Sequence, residues 1–286
     1  MAVVMILRIW DVEHGACAML QPLIDGVPGR LAMIDAGHAA DFRPSQFIRH
    51  GLGRTELDYL FITNVDQDHI SDLHGIAETG VNVRVLHRNP NVSVEALRVI
   101  KEQGGPLTKQ AELFLRMHGT YNAPESAPFD TSMGGITATC FHNAFPQFID
   151  TNNLSLVVFI KFGGFKILFP GDIERNGWLA LLENPTFVAE LAGTTILVAS
   201  HHGRENGYCK EVFDIVRPAA VVMSDKSLMH DTQLMAATYG TVTWPEGVMV
   251  ATTNKRRRVL TTRTDGHITF TVKSVGDFKV ETEHAG

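Results

Sequence analysis

Four apolar segments of this 286-residue chain each run directly into metal-friendly polar residues, and this repeated arrangement limits the fold more than any other feature. Residues 30–34 end at Asp35, and 59–63 lead into Asn64, Val65, Asp66, Gln67, Asp68 and His69. Residues 165–169 lead into Pro170-Gly171-Asp172, and 195–198 into Ser200-His201-His202-Gly203. Short continuous apolar runs bounded by such signals read as buried strands. A strand end holds a side chain rigidly while leaving it accessible, as a metal site requires.

The remaining pattern is mixed. Further strands are expected at 6–10, 16–20, 83–86, 136–141, 154–161 and 219–223, with a β-rich tail from 247. Helices are expected at 44–50, 70–78, 174–183, 209–216 and 231–239. Residues 93–118 are helix-like with a break at Gly104-Gly105-Pro106, and 119–133 read as a loop rich in Pro, Gly, Ser and Asn. A helical insertion followed by a loop beside a site is a candidate lid. With no linker visible, the expectation is one domain over 1–286 with a helical insertion near 88–133, built from two packed sheets with helices outside.

Composition narrows the classes. Hydrophobic content of 44% and charged content of 20% belong to an ordinary globular protein. A net charge of −6 argues against coating nucleic acid by bulk electrostatics, though not against gripping a few phosphates locally. The three cysteines, Cys17, Cys140 and Cys209, form no CxxC pair, which suits a reducing cytosol and gives no disulfide framework. The apolar run 3–7 is too short for a signal-peptide core. No apolar stretch approaches the roughly 18 residues that span a membrane. A cytoplasmic protein without membrane association is expected; its protein partners are not encoded.

The polar clusters each have two readings. Asp66, Asp68 and His69 on a tight loop can converge on one or two cations, which would relieve the repulsion between the carboxylates. Asp68 and Asp172 also precede helical patterns, where an acid serves equally as a cap. His201-His202 at a strand end has no general packing purpose. The basic run 255–258 reads either as a phosphate contact or as a solvated hairpin tip, and Tyr121, Trp178 and Trp244 as base-stacking or ordinary aromatics.

Taken in order, these residues resemble the metallo-β-lactamase superfamily, most closely the metallo-hydrolase domain of ComEC-type DNA-uptake proteins and related phosphodiesterases. The resemblance rests on Asp11-Val12-Glu13-His14-Gly15, Asp35-Ala36-Gly37, Thr63-Asn64-Val65-Asp66-Gln67-Asp68-His69, Asn152-Asn153-Leu154-Ser155, Gly171-Asp172, Ser200-His201-His202-Gly203, and Pro218 followed by an apolar strand and Ser224. It implies an α+β fold, a four-layer αββα sandwich with its site along the edge between the sheets. It also implies two metal positions. Asp68, His69, Asp172 and His202 complete one of them. The other retains Asp66, with His142 as its third donor, but Asn64 stands where a histidine ligand belongs. Asp35 and Asn64 are expected behind the ligands, with Asp35 buttressing a histidine. The expected cofactor is one or two divalent ions, zinc or manganese, with magnesium also admitted by the oxygen-rich set. The expected activity is hydrolysis of a small-molecule phosphodiester or nucleic acid by a metal-activated water. Asp172 would orient the water, and His201 would protonate the leaving oxygen. Asn64 keeps open a second expectation, a catalytically impaired binding or regulatory protein.

Overall fold

The computed structural model describes residues 2–226 and 234–285. In chain order its strands are Val3–Ile9 (β1), Ala18–Ile24 (β2), Val27–Pro28 (β3), Ala32–Ile34 (β4), Glu56–Phe61 (β5), Asn82–His87 (β6), Thr137–His142 (β7), Leu156–Phe162 (β8), Phe165–Phe169 (β9), Ile196–Val198 (β10), Ala220–Met223 (β11), Val248–Val250 (β12), Lys255–Arg257 (β13), Val259–Thr261 (β14), Ile268–Lys273 (β15) and Phe278–Thr282 (β16). One sheet has the order β13-β12-β16-β15-β1-β2-β4-β5-β6 with β3 against β2; the other has β14-β11-β10-β9-β8-β7.

Strand β8 shows why the layers form. Leu156, Val158, Ile160 and Phe162 point into the core between the sheets, while Val157 and Phe159 pack beneath the outer helices with Trp178, Leu181 and Phe187. A strand covered on both faces has no polar side to present, hence its continuous apolar run. A third apolar cluster, including Met33, Leu60, Leu97 and Phe114, joins the first sheet to its own outer helices. The result is the αββα sandwich, a mixed fold of two sheets flanked by helices.

Several expected elements shift. The helix expected over 70–78 is two pieces, Gln67–Ile70 and Leu73–Glu78. Between them the Asp72 amide donates to the Ala36 carbonyl at 2.8 Å, and its carboxylate accepts from the Ser45 amide at 2.7 Å, which turns the chain out of one helix. Residues 93–118 divide at the Gly-Gly-Pro break into Val94–Glu102 and Lys109–Thr120, capped by Ser93 and Thr108. The loop 119–133 contains one helical turn, Phe129–Ser132. Residues 231–233 of the helix expected at 231–239 lie outside the described residues; a helix is present at Ala236–Thr241. Among the described residues no helix is long and apolar enough to cross a membrane.

Parallel pairing sets the position of the polar loops. Strands β4, β5 and β6 are parallel neighbours, as are β9, β10 and β11. Their carboxyl ends carry the loops singled out above, and backbone bonds tie these loops together. The Ala36 amide donates to the His69 carbonyl at 2.7 Å, the Leu156 amide to Thr63 at 2.8 Å, and the His201 amide to Gly171 at 3.2 Å. A Cβ at Gly37 would lie 2.5 Å from the Asp68 carbonyl oxygen, so only glycine lets these two loops close on each other.

Candidate metal centre

Neither candidate acid is a helix cap. Asp66 holds the cap position before Gln67–Ile70, and Asp68 lies inside that turn. The Asp68 carboxylate is 3.0 Å from His202 Nε2 and 3.7 Å from His14 Nε2. The helix after Asp172 starts at Arg175 with Glu174 at its cap position. Asp172 Oδ1 lies 3.0 Å from His69 Nε2 and 3.6 Å from His202 Nε2. One ligand atom from each of Asp68, His69, Asp172 and His202 falls within 4.8 Å of all the others. Donors about 2.1 Å from a tetrahedral ion sit roughly 3.4 Å apart, so the observed spacing fits a single cation.

The bonding of these atoms points the same way. His69 Nε2, Asp172 Oδ1 and His202 Nε2 are buried and have no hydrogen-bond partner, despite their proximity. Leaving a buried polar atom unsatisfied costs about 1–3 kcal/mol. Three such atoms facing one another mark a place for something that accepts their lone pairs. The opposite ring nitrogens are occupied. His69 Nδ1 donates to Asp35 Oδ2 at 2.9 Å, and His202 Nδ1 donates to the Ser224 carbonyl at 2.9 Å. A carboxylate and a carbonyl only accept, so Nδ1 carries a proton in both rings and Nε2 is the nitrogen that faces the cluster. Asp35 is itself held by the Thr63 amide at 2.7 Å and the Thr63 hydroxyl at 2.5 Å.

Without an ion, the cluster balances its carboxylates with its histidines. Burial opposes charge on His69, yet Asp172 and Asp35 outweigh it and raise its pKa well above the usual histidine value. Burial likewise opposes charge on His202, and Asp172 and Asp68 raise its pKa. Burial works against ionised Asp172, but His69 and His202 hold it at about 2. The same opposition at Asp68 is overcome by its contact with His202 and by the charge of His69, which keep it well below the carboxylate range. An ion bound to the two Nε2 atoms would replace those ring charges and would itself offset the charge of Asp68 and Asp172.

The loops are also strained here. Asp35, His201 and His202 have φ of 59°, 50° and 56°. Left-handed backbone at a residue other than glycine costs on the order of 1–3 kcal/mol and clusters at functional sites.

The remaining expected residues divide. His201 stands beside the cluster with its Nδ1 3.7 Å from Glu174 Oε1; burial, opposed by the charge of Asp172, lowers its pKa. Asp66 and His142 do not join the four-residue group. Asp66 is bound by Lys101 and Thr151. His142, at the end of β7, has its Nδ1 3.5 Å from the side-chain Nδ2 of Asn91. Asn64 bonds Asn152 and the Asp66 amide. Arg257 of the basic run pairs with buried Asp265, and the run begins an edge strand where a hairpin tip was the bland expectation. Trp178 is core, the Tyr121 hydroxyl donates to Val83, and Trp244 is exposed.

Three contributors were not foreseen. The His14 ring lies tilted against that of His202, 4.4 Å between centroids, and accepts from Arg204 at 3.2 Å; burial, with His202 close by, pushes its pKa down to about 4. It stood in the 11–15 motif, where only its place beside a turn glycine hinted at it. The Ser224 carbonyl orients His202, a role with no residue-type signature. Lys101 reaches the loop from the segment outside the motif series.

The family model of the metallo-beta-lactamase superfamily matches residues 22–196. No curated protein sequence matches the chain. Among solved structures the chain is similar to CmlA, a diiron β-hydroxylase from Streptomyces venezuelae, at 14% identity and a TM-score of 0.50, covering 93% of this chain and 53% of that one. A protein from Parabacteroides distasonis described as a metal-dependent hydrolase is 14% identical with a TM-score of 0.38, covering 76% and 80%. A long-form RNase Z from yeast is 10% identical with a TM-score of 0.42, covering 93% and 48%. The chain spans about half the length of CmlA and of that RNase Z. At such identities the likeness is one of fold.

Proposed function

The chain belongs to the metallo-β-lactamase superfamily, and on that premise we propose that it is a metal-dependent hydrolase of phosphodiesters, either small molecules or nucleic acid. The observation that carries this reading is the set of three buried, unpartnered atoms, His69 Nε2, Asp172 Oδ1 and His202 Nε2, converging beside the Asp68 carboxylate. These four residues would hold the ion, zinc or manganese by their two-nitrogen, two-oxygen donor set. When bound, a divalent cation lowers the pKa of coordinated water towards about 7 and so supplies hydroxide at neutral pH.

The chain's own groups do the rest. Asp172, buried with one oxygen facing the cluster, orients the attacking water. His201 Nδ1 is unbonded and serves as the group that delivers a proton to the leaving oxygen. Asp35 holds the His69 ring in register through Nδ1. An acid, Asp66, in the middle of the motif supports the phosphodiesterase branch, on the resemblance to ComEC-type domains.

Protein stripped of metal, then reloaded with Mn²⁺ or Zn²⁺, should cleave bis(p-nitrophenyl) phosphate or single-stranded DNA. Cleavage of carboxyl esters, lactones or thioesters with no phosphodiester turnover would reject the substrate class. A loaded protein that turns over none of these would favour the binding or regulatory reading that Asn64 raises.

A further inference from the structure

We propose that the chain holds one divalent cation and not two, and that the ammonium group of Lys101 stands in for the second. This rests on the metal-centre reading above and concerns the other half of the same loop.

That half is Asn64 and Asp66, the positions that the superfamily resemblance assigns to a second cation. Their side chains are held by protein partners, although Asp66 Oδ2 has only a share of the single Thr151 hydroxyl proton. Asn64 Nδ2 donates to Asn152 Oδ1 at 3.1 Å, and Asn64 Oδ1 accepts from the Asp66 amide at 3.1 Å. Lys101 Nζ donates to Asp66 Oδ1 at 2.6 Å, and the Thr151 hydroxyl lies 3.1 and 3.2 Å from the two Asp66 oxygens. Neither residue leaves a buried atom unpartnered, whereas three of the four donors next door do. The third donor expected for this position, His142, is absent from the only metal-competent group among the described residues.

Lys101 is built into this place. It lies on the helix Val94–Glu102, whose Leu97 and Ile100 are buried in the outer core. The next helix is tied to the motif turn, where the Thr108 hydroxyl donates to Gln67 Oε1 at 2.8 Å. The lysine side chain is 21% exposed, so most of its length packs against protein while the ion pair itself is partly exposed. Its effect follows from elementary electrostatics. Asp66 and Asp68 are two residues apart, and like charges that close oppose each other unless neutralised. A charge-assisted bond to an ammonium is roughly twice as strong as a neutral one. An incoming ion would have to break that bond and would find only an amide oxygen, a weak ligand, beside it. Lys101 thus supplies the neutralising charge but no open coordination position. The segment near 88–133, outside the motif series, thereby contributes to the site.

The test is the metal content of the full chain after loading with excess Mn²⁺ or Zn²⁺ and removal of free ion, read by elemental analysis and native mass spectrometry. One ion per chain is expected. Two ions, with the second lost in Asp66→Asn, would overturn the proposal and leave the metal-centre reading intact. No bound ion would overturn the metal-centre reading and this proposal with it. Asn64→His alone should remain at one ion, because Lys101 still holds Asp66. Asn64→His combined with Lys101→Ala should rise to two, with a spin-coupled manganese resonance spectrum. A folded double variant that stays at one would refute the role of Lys101. If the double variant does not fold, Lys101→Ala alone decides by titration calorimetry. A second, weaker Mn²⁺ equivalent supports the proposal, and its absence overturns it.

Discussion

Asp66 and Asp68 are two residues apart on one loop, yet their surroundings are opposite. Around Asp68, the buried polar atoms of His69, Asp172 and His202 face one another without protein partners. Around Asp66, a lysine, a threonine and two asparagines satisfy one another. Both regions are rich in ligand-type residues, so residue type does not separate them. Hydrogen-bond satisfaction does. Single unsatisfied buried atoms occur elsewhere in the chain, but several that converge on one point call for an explanation. Where neighbouring side chains already satisfy such atoms, little drives an ion to bind.

The largest effect expected from this contrast is at its unsatisfied side. His202→Ala or Asp172→Ala should abolish metal retention and cut turnover about a thousandfold or more, the loss of several kcal/mol of charge stabilisation. Circular dichroism should show the fold intact. Full activity in either variant would break the contrast at its root.

Next comes the separation of ligand from proton carrier. His201→Ala should lower kcat by about a hundredfold with metal content unchanged. Loss of the ion in this variant would mean that the adjacent histidines had been assigned in the wrong order.

An unpartnered buried atom without convergent neighbours should behave differently. His87 Nε2 is such an atom, and its ring stacks on Phe61 at 4.2 Å. Burial, helped by Arg88, pushes its pKa down to about 4. A depressed folded-state value means a neutral ring in the fold and a readily protonated one in the unfolded chain. Its contribution to stability is therefore complete above the unfolded value of 6.5 and is lost as pH falls towards 4. His87→Leu should lose several degrees less Tm than the parent between pH 6.5 and 4, with metal affinity unchanged. Reduced metal affinity in this variant would show that lone unpartnered atoms can mislead.

The smallest effect lies on the satisfied side. Asp66→Asn breaks a partly exposed ion pair and should cost about 1 kcal/mol or less, seen as a small drop in Tm. Its metal content should match the parent. A thousandfold loss of activity would put Asp66 among the ligands and erase the distinction.

The αββα layering was legible because both faces of strands such as β8 and β9 are covered, and such strands are mostly apolar, with Lys161 and Lys166 as exceptions paired to Glu190. Asp35, Asp68, His69, Asp172 and His202 were legible because each stands at or just beyond the end of an apolar run. The capping alternative for Asp68 and Asp172 stood open until the helix starts were located at Gln67 and Arg175. The split of the expected 70–78 helix could not be read, because it depends on Asp72 bonding to residues far away in sequence.

What the sequence determined by itself was therefore periodicity and the chemistry at strand ends, because a buried strand and a metal ligand each restrict residue type locally. Only the tertiary structure decided which ligand-type residues remain unsatisfied. Lys101 looks like any helix-surface lysine until the helix Val94–Glu102 is packed against the 64–69 loop and its ammonium meets Asp66. His14 and the Ser224 carbonyl likewise acquire roles only by facing His202. Satisfaction of a polar atom is a property of pairs, and these pairs join residues 22 to 188 positions apart in the chain, His202 with Ser224 and with His14.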